Sequence, residues 1–420
     1  MMSESVIRSP RVRETVRCGP LGPHMDGFLA TAAGMGYTKE SLRDLVLGAS
    51  WFARYATARG VTDVRELRDH HVREFIRTLA VFQDGVSHVT ASTRGRRGAR
   101  HLLHYLRTTG IVSPEPVAES AYGWILDEWL AVLRQHRGLT AQSVALYRRQ
   151  VEPFLQDLQA AAQPHRLAAL SPTRVREYLQ RQAPRFARVT RKNLVVTLRG
   201  FLRFAFRAGY LQRDVASSIE RVPCFTLDRL PRGPKWEDLP QLLTTADQST
   251  ALGRRDFAIL LALLTYGVRA GQLTRLRLDD VHWREDRLTF PAAKGGRVID
   301  VPLTPAVGNA LVHYLRAGRP ASTARQVFLS SDPPFGALAA SSVYNVVGRA
   351  FRVAGIASPH RGSHAIRHAW ATRAFAQGHG LKTVADLLGH RQLESTRIYT
   401  KVEYPQLRSV GLPWPEEVRS

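Results

Sequence analysis

The chain has 420 residues, which exceeds a typical single domain and indicates two or three domains with separate cores. Its 60 Lys and Arg residues outnumber its 35 Asp and Glu residues, and the net charge of +25 favours a polyanionic partner, above all nucleic acid. A coding bias towards arginine is an alternative source for part of this excess.

The composition also disfavours several classes of protein. Cys18 and Cys224 are the only cysteines and lie far apart, which argues against a disulfide framework or a zinc site. The most apolar run, FAILLALL at residues 257–264, is too short to cross a bilayer, and the first residues lack the apolar core of a signal peptide. We therefore expect a cytoplasmic protein.

The first part of the chain is predicted to be helical after a short leader. Residues 1–24 are rich in arginine and proline without an apolar period, which is typical of a basic, flexible leader. Residues 25–112 carry successive apolar patterns of helical period, several of them ending at glycine. The proline-containing segment at residues 113–121 is predicted to be a linker.

Residues 122–222 repeat the order of motifs found in residues 25–112. The paired segments are Gly36-Tyr37-Thr38 with Gly138-Leu139-Thr140, VREFI from Val72 with VREYL from Val175, and LLHYLRTTGIV from Leu102 with FLRFAFRAGYL from Phe201. Two unrelated helical hairpins could align as well as these do, so common descent is one of two interpretations.

A second basic, proline-rich linker at residues 223–235 leads into a third domain at residues 236–402. Its predicted helices are Trp236–Thr245, Arg254–Tyr266, Pro305–Ala317, Ser341–Ala354 and a stretch from Ser363 to about Ala376. Between the second and third helices, RLTFPAAKGGRVIDVPL predicts two short strands in a hairpin. The tail at residues 403–420 shows no periodic element. The predicted fold class is mainly α with a small β-hairpin, an α+β protein of several domains.

Four residues near the C-terminus carry groups suited to phosphate chemistry. His364 and Arg367 are three residues apart, so a helix places them on one face. Arginine offers a planar fork to phosphate oxygens, and histidine exchanges protons near neutral pH. His390 follows Leu-Leu-Gly, and Tyr399 supplies a phenol nine residues later. As alternatives, His390 would cap a helix and Tyr399 would belong to the core.

These motifs, in this order, resemble the catalytic motifs of the tyrosine recombinases, the phage-integrase family of site-specific DNA recombinases. The resemblance covers about residues 122–402. Arg269, in LLTYGVRAGQLTRLRLDDV, resembles the family's first arginine, although Gln272 replaces a supporting glutamate and leaves the positioning of the arginine open. Lys294, at the predicted hairpin turn, resembles the family's mobile lysine, with Arg297 as the alternative.

The resemblance thus implies a catalytic set of Arg269, Lys294, His364, Arg367, His390 and the nucleophile Tyr399. We expect structural roles for His368 and His379. We prefer Tyr399 to Tyr404, because Tyr404 lacks the family spacing from His390 and precedes a proline.

The resemblance also implies an enzyme that cleaves and rejoins DNA through a 3′-phosphotyrosine, without metal, cofactor or ATP. Residues 122–222 would be a core-binding domain that closes on the duplex opposite the catalytic domain at 236–402, as a clamp. Residues 25–112 would be an additional DNA-binding domain of the same kind.

The implied partner is double-stranded DNA with paired core sites, on which family members form rings of four subunits. A homo-tetramer and a hetero-tetramer with other recombinase subunits are both open. An integrating or transposing element is the expected setting. The alternatives are a DNA-binding accessory subunit without activity and a type IB topoisomerase or telomere resolvase.

Overall fold

The structure is a computed structural model that describes residues 19–79, 88–113, 121–159, 165–223, 233–292 and 297–389, together with Glu14 and Arg17. Most of the predicted leader, the inner parts of both linkers, Lys294, His390, Tyr399, Tyr404 and the tail lie outside the described residues. The chain divides into two compact units, one formed by Met1–Ser113 with Arg229–Ser420 and the other by Pro114–Asp228. Within the described ranges, no helix is long and apolar enough to cross a membrane.

Between residues 19 and 113, the described part of the first unit forms a bundle of four α-helices. They are α1 (Met25–Gly34), α2 (Lys39–Ala58), α3 (Asp69–Thr78) and α4 (His88–Thr108). Helix α2 begins because the Thr38 hydroxyl accepts the backbone N–H of Ser41, directly after Gly36 has turned the chain with a φ of +94°. Phe52 and Phe75 lie at the centre of a core that all four helices share.

The second unit repeats the order of these four helices and adds one short helix between the second and the third. They are α5 (Gly123–Arg137), α6 (Ala141–Gln159), the short α7 (His165–Ala168), α8 (Pro172–Gln182) and α9 (Arg188–Arg207). Thr140 accepts the backbone N–H of Ser143 at the start of α6, after Gly138 with a φ of +55°. This start repeats the one at Thr38. The alignment of the two copies thus extends from sequence motifs to helix order, and common descent stays our interpretation.

The C-terminal part of the first unit is mainly helical. Its elements begin with a 3₁₀ helix at Trp236–Thr245 and continue through α10 (Ala251–Tyr266), α11 (Ala270–Arg275), α12 (Pro305–Ala317), α13 (Ala340–Val353), α14 (Ser363–Ala376) and α15 (Leu381–Leu387). The first of these was predicted as an ordinary helix. Pro240 lies inside it and has no backbone N–H to donate, which favours the tighter 3₁₀ geometry over a regular α-helix.

A small antiparallel sheet packs against these helices. It has three strands rather than the two predicted, β1 (Val281–His282), β2 (Arg287–Phe290) and β3 (Ile299–Pro302), in the order β1-β2-β3. Leu288 and Phe290 on β2 enter the same core as Ile299 and Val301 on β3, while Asp300 between them faces solvent. The fold class predicted from sequence, mainly α with a small β element, is confirmed.

Helices α2 and α4 approach each other at glycines. A Cβ atom added to Gly98 would lie 2.3 Å from the backbone nitrogen of Ala49, and one added to Gly48 would lie 2.0 Å from the carbonyl oxygen of Arg94. Separations below 3.0 Å force a backbone to move. The two helix backbones are therefore in direct contact, with no side chain between them.

We expect Gly98→Ala to destabilise the N-terminal bundle by about 1–3 kcal/mol, because the added methyl overpacks a rigid backbone contact. Urea unfolding followed by circular dichroism measures the loss. Gly34→Ala is the matched control, since a Cβ at this position in α1 meets nothing within 4 Å and the exchange should be neutral or slightly stabilising. Equal stability of the two variants would show that the helices can separate without cost.

Candidate active site

The first arginine lies in a tight connection between two helices. Helix α10 ends at Gly267, whose φ of +60° turns the chain, and a Cβ there would lie 2.8 Å from the Trp370 ring. Trp370 also donates its indole N–H to the carbonyl of Thr265 at 3.1 Å. The ring thus packs on bare backbone, and the next residues place Arg269 at the start of α11.

The second arginine projects from α14 into the protein. Arg367 is 3% exposed, donating from Nη1 to the Gly267 carbonyl at 2.9 Å and from Nη2 to the Leu388 carbonyl at 2.7 Å. A guanidinium buried to this extent is costly unless it is hydrogen-bonded, and backbone carbonyls supply the acceptors here. These two bonds connect α14 with the end of α10 and the end of α15.

Both arginines reach the same oxygen atom. Arg269 donates from Nη1 to the Leu388 carbonyl at 3.3 Å, where Arg367 also donates. Leu388 is followed by Gly389, whose φ of +61° ends the helical turn. Two like charges at one carbonyl repel each other, so the site gains from any anion that adds a negative charge.

Gln272 supports Arg269 from the interior. It is fully buried, and its Oε1 accepts the backbone N–H of Arg269 at 3.2 Å while its Nε2 donates to the carbonyl of Pro291 at 3.2 Å. A glutamate at this position would accept the first bond and, when ionised, could not donate the second. The amide therefore performs the positioning that the sequence left open, and it also holds the chain after β2.

His364 lies on the same side of α14 as Arg367. Withdrawal from water, and then the positive charges of Arg367 and Arg269, lower the pKa of His364 below its ordinary value of 6.5. The side chain is exposed on α14, and the two guanidinium charges disfavour its protonated form. The imidazole is therefore neutral at pH 7 and can accept a proton.

Three of the six predicted site residues are described, and the structure brings them together: Arg269, His364 and Arg367. The other three, Lys294, His390 and Tyr399, lie outside the described residues and stay predictions. Two described residues lie next to them in sequence. Pro291, whose carbonyl is bonded by Gln272, is three residues before Lys294, and Gly389 directly precedes His390.

The remaining candidates fall around this cluster. Burial lowers the pKa of the partly buried His368, and electrostatic interactions with His364, Arg367 and His360 lower it further. His379 is exposed in the turn before α15. The Arg297 guanidinium lies 3.8 Å from the Asp386 carboxylate and is largely exposed.

Sequence reasoning missed two groups that build the site, Trp370 and the Leu388 carbonyl. Trp370 stands three residues after Arg367, on the same face of α14. That spacing was a usable signal. A main-chain oxygen that serves as a common acceptor leaves no signal in the sequence, because any residue carries one.

Two family models match this chain, the Phage integrase family at residues 235–405 and the Phage integrase N-terminal SAM-like domain at residues 126–209. A putative integrase/recombinase y4rA of Sinorhizobium fredii (strain NBRC 101917 / NGR234) is 30% identical over 406 residues, which cover 96% of each chain. The chain belongs to the phage integrase family. It is a tyrosine recombinase, and site-specific DNA recombination is its class of activity.

Further relatives of this recombinase carry recombinase or integrase names. Tyrosine recombinase XerD of Listeria innocua serovar 6a (strain ATCC BAA-680 / CLIP 11262) is 26% identical over 292 residues, covering 68% of this chain and 96% of the relative. The crystal structure of XerH bound to palindromic difH substrate, a post-cleavage complex, matches with a TM-score of 0.53 at 17% identity, over 89% of this chain and 97% of the other. The Tn1549 transposon integrase in complex with a circular intermediate DNA matches with a TM-score of 0.53 at 16% identity, over 68% and 99%. At these identities, the structural matches speak for the fold alone.

We expect Gln272→Leu to lower the free energy of unfolding by about 1–3 kcal/mol, because the Arg269 N–H and the Pro291 carbonyl both lose a buried partner. Urea unfolding of the full chain measures this loss. Gln241→Leu makes the same exchange at an exposed position of the same unit and serves as the control. A Gln272→Leu protein as stable as the Gln241→Leu protein would mean that these backbone groups find other partners.

Proposed function

We propose that this recombinase cleaves and rejoins DNA strands through a 3′-phosphotyrosine formed by Tyr399, with no metal ion and no ATP. The observation that supports this most directly is the meeting of Arg269 and Arg367 at one oxygen atom, with His364 beside them. Such a cluster matches the charge and the several oxygens of a phosphodiester in its transition state.

The described residues supply two of the functions that the reaction needs. Two guanidiniums offset the negative charge that gathers on the non-bridging oxygens during attack. Neutral His364 accepts a proton as the phenol of Tyr399, whose ordinary pKa is near 10, becomes a nucleophile. The covalent intermediate conserves the energy of the broken bond, so the second transfer needs no ATP. We assign Lys294 to protonation of the departing oxygen and His390 to the same phosphate.

The proposed substrate is duplex DNA with paired core sites. The matched structures include a lambda integrase dimer bound to a COC′ core site, with a TM-score of 0.52 at 17% identity, and XerH bound to difH. We propose that four subunits assemble on two such sites, either alone or with other recombinase subunits. The transposon integrase among the matches supports a mobile element as the setting.

We further propose that both helical copies bind DNA. The family model of the N-terminal SAM-like domain matches the second copy, α5–α9, and the first copy, α1–α4, repeats its helix order. Residues 122–222 and 236–402 would then close around the duplex as a clamp, while residues 25–112 extend the contact.

Tyr399→Phe should abolish the covalent protein–DNA adduct, because the substituted ring has no oxygen to attack phosphorus. The assay traps the adduct on a suicide substrate nicked near the core site, in EDTA, and resolves it on a denaturing gel. Tyr404→Phe is the matched control and should form the adduct as the wild type does. If Tyr404→Phe abolishes the adduct and Tyr399→Phe does not, the assignment of the nucleophile is wrong. A wild-type protein that binds the sites without cleaving them would favour the accessory-subunit alternative.

Arg269→Gln should slow adduct formation by about a hundredfold to a thousandfold, the effect of losing one charge-assisted contact in the transition state. It should also shift the acid limb of the pH profile. In the wild type this limb lies below pH 6.5, since the lowered pKa keeps His364 neutral until the medium is more acidic. Removing one of the two neighbouring charges raises that pKa, so the residual rate of Arg269→Gln should fall off at a higher pH.

The control for this profile is Arg316→Gln, which removes an exposed arginine from α12. Its rate and acid limb should match those of the wild type. Circular dichroism across the same pH range separates titration of the site from acid unfolding. An acid limb that stays in place in Arg269→Gln would remove His364 from the proton-accepting role.

A further inference from the structure

A cleft in the N-terminal bundle is lined by more positively charged side chains than its single carboxylate can pair with. It has a volume of about 250 Å³ and lies between α3 and α4. Its lining consists of Asp69, Val72, Arg73, Ile76, Arg100, Leu103, His104 and Arg107. Three guanidiniums and an imidazole thus surround a space that contains one carboxylate.

Helix periodicity brings these side chains together. Arg100, His104 and Arg107 are spaced by four and three residues, which places them in one row on α4. Arg73 faces them from α3, four residues after Asp69. Arg73, Arg100 and His104 are exposed, so a ligand from solvent can reach all three.

Arg107 lies beneath the exposed arginines of the cleft and is held by an ion pair. Its Nη1 donates to the Asp69 carboxylate at 3.1 Å. Its Nε and Nη2 are buried and have no hydrogen-bond acceptor among the described residues. Solvent does not reach these two atoms, so Arg107 contributes its charge to the cleft, while Arg73 and Arg100 supply the guanidinium donors that a ligand can reach.

The second helical copy carries a comparable cleft. Between α8 and α9, a cleft of about 390 Å³ is lined by Arg176, Leu179 and Arg191 among others. Arg176 occupies the same place in VREYL that Arg73 occupies in VREFI, and Leu179 corresponds to Ile76. The Nε of Arg191 is also buried without an acceptor among the described residues. An arginine at one position of the repeat therefore lines a cleft twice, once in each copy.

We propose that the cleft between α3 and α4 binds a backbone phosphate of duplex DNA, with Arg73 and Arg100 as its donors and Arg107 as a further positive charge. This inference rests on the proposed function, which makes DNA the substrate. The cleft would recognise phosphate and not a base edge, because arginines from two helices converge on one small space, where their charges and donors suit a compact anion with several oxygens. It would anchor the N-terminal bundle to the duplex without regard to sequence.

The test measures how steeply DNA binding depends on salt. Full-length protein binds a fluorescent duplex of mixed sequence, and anisotropy gives the affinity between about 50 and 200 mM salt. Arg73→Gln/Arg100→Gln should reduce the slope of log K against log salt by about 1 to 2. Fewer phosphates are then neutralised by the protein, so fewer counterions are released on binding.

The matched control is Arg43→Gln/Arg54→Gln. These arginines are exposed on α2 of the same bundle, outside the cleft, and their removal lowers the net charge by the same amount. The control should keep the wild-type slope.

Two results would overturn the proposal. An equal change of slope in both double variants would show general attraction by net charge, with no site in the cleft. A wild-type slope in both would direct attention to a protein partner for this face. The covalent adduct is scored separately on a nicked core-site substrate. If the wild-type protein forms no adduct, the proposed function alone is contradicted. If the cleft variant keeps the wild-type slope, the phosphate site alone is contradicted.

Discussion

The candidate site depends on the carbonyl oxygen of Leu388, which accepts hydrogen bonds from both Arg269 and Arg367. This single atom links the start of α11, where Arg269 lies, and helix α14, which carries Arg367, to the end of α15. Because two guanidiniums converge there, the site stays electropositive and the imidazole of His364 stays neutral. The fold itself thus brings Arg269, His364 and Arg367 together.

The bonds from both arginines to the Leu388 carbonyl also affect how much free energy substrate binding can gain. The backbone oxygen of Leu388 accepts hydrogen bonds from two arginines that could instead donate to phosphate oxygens. Substrate binding would then exchange one acceptor for another, and such exchanges contribute modestly because the number of hydrogen bonds changes little. The transition state, which carries more charge than either acceptor, gains more from the same two arginines. Rate would therefore benefit more than affinity.

The sequence predicted what depends on spacing and missed what depends on the backbone. The three-residue step from His364 to Arg367 placed both on one face of α14, as the structure shows. The pairing of Arg269 with Arg367 followed only from the family resemblance, since 98 residues separate them and their common acceptor is a main-chain atom. The apolar period at residues 236–245 predicted an α-helix, whereas Pro240 within it was the signal for the 3₁₀ helix that forms. Strand β1 has two residues, too few to show alternation.

The glycine contact between α2 and α4 has a consequence beyond stability. Side chains that interdigitate allow a helix several rotational settings, because rotamers can adjust to each one. Where Gly48 and Gly98 bring two backbones together, no rotamer is available to adjust, and α4 has one setting about its own axis. The row of Arg100, His104 and Arg107 therefore keeps a fixed orientation towards α3.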